Sequence, residues 1–277
     1  MLNTKSQTES FYHALLVLRK SLSIGTLSAD KKTRAMLEKY GSFENIFQKS
    51  LDLFPEDFLK SDLAEELKDK TERHDFRTLT VNDALFPQFL KAIPYASPVL
   101  YVKGNISLLD TKTIAVVGTR ELSQNNVEDA ESCLERLLKK GYTIVSGLAE
   151  GCDALAHKYA VRHNGSTIAV LGTPLDRSYP KENKKLQEEI AKNHLLISQY
   201  PIGLRPFPSY FAHRNITTVG LSKEGVVVIE APDSSGTQHA IKECVKTKKP
   251  LYVLENNLER GFEWTRALAG SYKVVKR

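Results

Sequence analysis

The spacing of apolar residues changes near residue 76. Before it, apolar positions recur every three or four residues. Phe11, Leu15, Leu16 and Leu18 fall on one helical face, and Met36, Leu37 and Tyr40 on a second. Phe43, Ile46 and Phe47 mark another helix, and Leu59, Leu63 and Leu67 a further one. Gly41 is placed to end the second helix and Ser42 to cap the next. Residues 10–70 thus read as a set of short helices with tight turns, in a domain spanning 1–75. Such a unit is often used for protein or nucleic-acid contacts, and packing alone would explain it equally well.

Beyond residue 76 the pattern becomes one of short, continuous Val/Ile-rich runs. A connector broken by Pro87 and Pro94 leads to a short strand at 99–102, before Gly104. Strands are predicted at 113–117, 143–145, 167–171, 195–198, 226–230 and 251–254, alternating with helices at 124–139, 153–163, 183–193, 208–221 and 236–247. Continuous apolar strands separated by helices mean a mostly parallel sheet covered on both faces, an α/β domain over 76–277. Such a sheet binds its ligand at the C-terminal ends of the strands.

Composition narrows the class. With 277 residues and 41% apolar content, the chain is an ordinary globular one. Its longest apolar runs, such as 226–229, cannot span a bilayer, and no signal-peptide core is present, so no membrane association is expected. Cys133, Cys152 and Cys244 are odd in number and lack metal-ligand spacing; they read as reduced thiols of a cytoplasmic protein, with no metal. The net charge of +6 is uneven: residues 1–75 carry −1 and residues 76–277 carry +7. The excess lies with the glycine loops, which favours a polyanionic partner, although a solvated basic face would give the same count.

The chemistry is concentrated in the loops after the strands. Gly118-Thr119-Arg120 follows the first main strand, and Ser146 to His157, with Gly147 and Gly151, follows the second. Gly172 follows the third, Phe211 and the Arg214-Asn215 pair lie on the helix after the fourth, and Ser235-Gly236-Thr237 follows the fifth. Glycine turns leading into helices are anion sites, because the first helical amides lack internal partners. In this setting the helix start would lower the pKa of Cys152; a small residue tolerated in a turn is the plainer reading. Neither a dinucleotide G-x-G-x-x-G nor a Walker A loop occurs. Ser146 and His157 stand eleven residues apart with a helix between them, and no nucleophile–base pair is expected. The sequence therefore points to a phosphate-binding pocket with several walls, no catalytic residues and no cofactor.

The ordered motifs resemble the DNA-processing protein A family, also called Smf. They run from Asn82-Asp83-Ala84-Leu85-Phe86-Pro87 and Pro98–Asn105 through Val116–Arg120, Ser146–His157 and 167–172 to Pro201-Ile202-Gly203, Arg214-Asn215, Gly220-Leu221-Ser222, Val228–Ala231 and Ser235-Gly236-Thr237. They cover about 82–250, and the helical N-terminal part resembles the family's sterile-alpha-motif-like domain. The resemblance implies a Rossmann-like, doubly wound sheet that binds single-stranded DNA without cutting it, with duplex DNA as an open alternative. It also implies a homodimer, and a role in natural transformation and in loading a RecA-type recombinase. Arg120 and Arg214 match positions associated with DNA binding; Arg205, Phe207, Tyr210 and Phe211 offer charge and aromatic surface beside them. Core packing competes for the two rings, more for Phe211 than for Tyr210.

The chain departs from the family at three places. Glu150 and Ile216 stand where arginine is usual, and Ala212 where proline is usual. Two lost positive charges and one gained negative charge should weaken phosphate binding. No winged-helix-like C-terminal domain, which many members possess, is expected from this sequence. A DprA-like component of a toxin–antitoxin or phage-defence system, with a toxin partner, is one alternative. A nucleotide-sensing or nucleotide-hydrolysing relative is another, although Gln238, His239 and Ala240 supply no carboxylate after Gly236-Thr237.

Overall fold

Four hydroxyl side chains start the four N-terminal helices. Thr4 accepts from the Gln7 amide, Thr26 from Ala29, Ser42 from Asn45 and Ser61 from Ala64, each satisfying a first-turn donor that the helix cannot. These caps open α1 (Lys5–Leu18), α2 (Leu27–Tyr40), α3 (Phe43–Gln48) and α4 (Asp62–Glu72) in a computed structural model that describes residues 4–51 and 58–276. Residues 52–57 of the expected helical unit lie outside the described residues. Gly41 ends α2 at φ +84°, a conformation that glycine adopts without strain.

Two predicted faces are corrected. Leu18 is exposed at the end of α1. The buried face of α4 is Ala64, Leu67 and Thr71, with Leu63 turned out and Leu59 exposed in a separate 3-10 turn, Phe58–Lys60. The cap at Ser61 sets the phase of α4, and that phase places Leu63 on the solvent side.

The described residues then form a nine-stranded sheet: β1 (Arg77–Thr80), β2 (Val99–Gly104), β3 (Thr113–Val117), β4 (Thr143–Ser146), β5 (Thr167–Leu171), β6 (Leu195–Ser198), β7 (Val226–Val228), β8 (Leu251–Leu254) and β9 (Lys273–Val275). Their order is β1-β2-β6-β5-β4-β3-β7-β8-β9. From β6 to β9 every pairing is parallel, and β1 and β2 close one edge antiparallel. This is the expected Rossmann-like, doubly wound α/β sheet. Strand 226–230 ends early at Val228, and the polar β1 and the terminal β9 escape a search for apolar runs.

Between the strands lie α5 (Gln88–Lys91), α6 (Asn125–Lys139), α7 (Cys152–Arg162), α8 (Lys184–Asn193), α9 (Pro208–Leu221), α10 (Gln238–Lys246), α11 (Asn256–Glu259) and α12 (Glu263–Ala267). Ile114, Ile144 and Leu171 point to the face covered by α6, α7 and α8; Ala115, Val117 and Val228 point to the face covered by α9 and α10. No helix among the described residues is long and apolar enough to cross a membrane. The N-terminal helices share a core with the sheet: Phe11, Leu15, Leu37 and Phe43 belong to the same buried cluster as Tyr101, Ile168, Ile197 and Ile216.

Candidate functional site

The chain runs outward from β3 in two directions, through β4, β5 and β6 on one side and β7, β8 and β9 on the other. The loops after β3 and β7 therefore diverge, and a crevice opens at the carboxyl ends of these two strands. It is a cleft of about 590 Å³, walled by the loops after β3, β4 and β7 and by α9. Ten of the expected residues line it: Gly118, Thr119, Arg120, Gly147, Phe211, Arg214, Asn215, Ser235, Gly236 and Thr237. Ser146, Gly151 and Gly172 do not. Ser146 is fully buried and donates to the Val116 carbonyl at 2.7 Å.

The glycines mostly serve loop packing, which revises the expectation of an open amide cradle after β4. A Cβ on Gly151 would lie 2.2 Å from the Arg120 carbonyl oxygen, and one on Gly172 would lie 2.5 Å from the Phe211 ring. On Gly147 it would meet the Arg214 guanidinium at 2.1 Å. The Cys152 amide at the start of α7 donates to the Thr119 carbonyl at 3.1 Å, so that amide holds two loops together and does not point to solvent. Gly236 differs: a Cβ there meets nothing within 4 Å. Beside it the Ser235 hydroxyl donates to Thr237 Oγ1 at 2.9 Å and accepts the Thr237 amide at 3.2 Å.

The two arginines occupy different environments. Arg214 is buried, and its Nη1 donates to the carbonyls of Gly147 and Val170. Burial lowers its pKa, and the facing Asp153 carboxylate opposes that shift. Burial likewise raises the pKa of Asp153, against the field of Arg214 and the hydrogen bonds it accepts from the Ala149 and Gly147 amides. Arg120 is exposed and makes no ion pair among the described residues. Its loop is pinned from below. Thr119 donates its amide to the Glu230 carbonyl at 2.7 Å, and the buried Glu230 carboxylate takes Arg260 at 2.9 Å and Ser123 at 3.2 Å.

Other expectations meet the structure as follows. Cys152 is buried, and its thiol is pushed well above the usual range by loss of water, not lowered by the helix start. Ser146 and His157 form no nucleophile–base pair, since His157 Nδ1 bonds Thr167 Oγ1 at 2.7 Å. The aromatic ranking is reversed. Tyr210 is buried and stacked on Tyr200 at 4.1 Å, whereas Phe211 lines the cleft and leans on the exposed Tyr179 at 4.9 Å. Ile216 packs in the core shared with the N-terminal helices, away from the cleft. Sequence reasoning missed Tyr179 and Glu230 as parts of the site. It also missed Asn183, which donates to the Leu148 carbonyl at 3.0 Å and the Ala149 carbonyl at 3.3 Å. No group of three metal-ligating side chains occurs among the described residues.

The chain covers 96% of itself and 94% of the X-ray structure of DNA processing protein A from Streptococcus pneumoniae, at a TM-score of 0.76 and 28% identity. DNA processing protein A from Helicobacter pylori, solved for its single-stranded DNA binding mode, matches at a TM-score of 0.63 and 30% identity over 72% of this chain and 91% of that one. In sequence, the Smf protein of Synechocystis is 39% identical over 65% of this chain and 46% of its own length. The DprA protein of Streptococcus pneumoniae is 36% identical over 67% of this chain and 65% of its own length. The chain thus spans between about half and two-thirds of these curated relatives. A family model described as DNA recombination-mediator protein A matches residues 77–269. The chain belongs to the DNA recombination-mediator protein A family.

Proposed function

We propose that this protein binds single-stranded DNA in the cleft at the ends of β3, β4 and β7, without catalysing a reaction on it, in DNA processing or recombination. The observation that carries this reading is Arg120: an exposed guanidinium, without an ion pair among the described residues, on a pinned loop beside the open Gly236 turn and the half-buried Phe211 ring. A guanidinium pairs phosphate oxygens, the Gly236 turn lets a backbone come close, and aromatic faces stack bases regardless of sequence. The relative from Helicobacter pylori studied for single-stranded DNA binding supports the choice of ligand. The non-catalytic reading is supported by the engagement of the cleft's buried polar groups, since Asp153 faces Arg214 and accepts backbone amides. A homodimer, and transfer of the strand to a RecA-type recombinase in transformation, belong to the same proposal.

The test is fluorescence anisotropy with an oligothymidylate of about 20 nucleotides, longer than the roughly 4–16 nucleotides that an OB-fold site covers. Arg120→Ala should weaken binding about tenfold and reduce the slope of log K against log salt by ~0.7, the share of one phosphate contact. Wild-type affinity and slope in the variant would remove Arg120 from the site. Displacement of the strand by a free mononucleotide at comparable concentration would favour the nucleotide-sensing alternative.

A further inference from the structure

Glu150 is left unused by a phosphate-binding cleft. It is exposed, makes no ion pair among the described residues, and lines a side recess of about 40 Å³ with Arg120, Tyr179, Pro180 and Phe211. A carboxylate there repels the phosphates that Arg120 attracts, so the group it faces in a bound strand must be a hydrogen-bond donor. Unpaired bases are held by stacking on aromatic rings and by hydrogen bonds to their Watson–Crick edges. Tyr179 is 52% exposed and lies against Phe211, giving a ring surface beside the carboxylate. A carboxylate only accepts, and its two oxygens sit side by side. Guanine is the one base with two adjacent donors, N1–H and the 2-amino group, on that edge. Adenine and cytosine place an acceptor beside one amino group, and thymine flanks its N3–H with two carbonyls.

We propose that Glu150 reads guanine: a base resting on Tyr179 presents N1–H and the 2-amino group to the carboxylate while Arg120 holds a neighbouring phosphate. This rests on the DNA-binding reading above and adds a base preference to it. The source of the guanine, a strand or a free nucleotide, is separated by competition.

Wild-type protein should bind an oligothymidylate carrying isolated dG residues about tenfold more tightly than plain oligothymidylate, the usual scale of a bidentate base contact. Hypoxanthine in place of guanine removes the 2-amino group and should forfeit most of that gain. Glu150→Gln should bring the ratio below about twofold while tightening plain oligothymidylate, because a repelling charge is gone. A merely structural role for Glu150 would shift both ligands alike and leave their ratio at about tenfold. Equal affinity of the wild type for both strands, with Arg120→Ala still weakening both, overturns guanine reading and leaves the DNA cleft standing. No binding of either strand overturns both. Displacement of the guanine-bearing strand by guanosine monophosphate at comparable concentration, with no displacement by thymidine monophosphate, assigns the edge contact to a free nucleotide and overturns its place in a strand.

Discussion

Arg214 and Arg120 line one cleft and should fail differently when removed. Arg214→Ala leaves the Asp153 carboxylate and the carbonyls of Gly147 and Val170 buried without their cation. Breaking a buried charge pair from one side costs about 3–5 kcal/mol, so the urea midpoint should fall sharply. Arg120→Ala should leave the midpoint where it is and affect only binding, which makes it the cleaner probe of the site. The glycines divide in the same way. Gly147→Ala drives a methyl into the Arg214 guanidinium and should destabilise the chain, with binding lost alongside folding. Gly236→Ala meets only open space and should unfold at the wild-type midpoint. If the Gly236 turn admits a DNA backbone, that variant should nonetheless bind oligonucleotide several-fold more weakly; unchanged affinity would take the turn out of the site.

Two helices are fixed to the sheet by buried histidines. His13 of α1 reaches the Tyr101 hydroxyl of β2 at 2.6 Å, and His157 of α7 reaches Thr167 of β5 at 2.7 Å. Thr167 spends its one proton on the Ile144 carbonyl, so His157 donates from Nδ1 as a neutral ring. Burial drives both imidazoles down to about 3 from 6.5. A lowered base binds its proton in the unfolded chain first. Its contribution is therefore complete above pH 6.5 and lost as pH falls from 6.5 toward 3. The buried carboxyls of Glu9, Asp30 and Asp153, all raised, act with the opposite sign, as stability lost when pH rises above the ordinary carboxyl range. Comparison with a variant isolates the histidine. Between pH 7 and pH 5 the wild type should lose about 2 kcal/mol more than His157→Gln in urea titrations. Equal losses would mean that His157 is not buried neutral. None of this burial is visible in sequence, where His157 is a polar residue on a helix. What sequence does reveal follows the strength of each local pattern. Strands 167–171, 195–198 and 251–254 are read to the residue because their apolar runs are nearly continuous, and helix 208–221 because Pro208 marks its first turn. The strand Arg77-Thr78-Leu79-Thr80 has no such period and is found only through its pairing with β2. Within the site, glycine and arginine turns mark the walls. The supports escape notice because Glu230 and Arg260, or Asn183 and Leu148, meet only in the fold. Tyr210 and Phe211 are exchanged because one residue of helical rotation decides which ring enters the core.

The change of pattern near residue 76 separates helices from sheet, yet the buried surface runs across it. Leu67 of α4 packs so close to Gly203 that a Cβ there would lie 2.4 Å from it. Asp30 of α2 reaches His213 of α9 at 3.1 Å with both side chains buried, and His213 Nδ1 meets Gln199 at 2.7 Å, which accepts from Thr217. That network clamps the helix carrying Phe211, Arg214 and Asn215 to the N-terminal unit. Residues 1–75 and 76–277 are accordingly expected to fold as one cooperative block, because neither half can bury its side of the shared core alone. Calorimetry of the full chain should show a single transition whose calorimetric and van't Hoff enthalpies agree. A fragment starting at residue 76 should aggregate or bind a hydrophobic dye. Asp30→Ala should lower the transition and also weaken oligonucleotide binding, although Asp30 is outside the cleft lining, because α9 loses its clamp. Two resolved transitions, together with a stable fragment that binds DNA at full affinity, would show instead that the helical unit is a separate domain resting on a site complete without it.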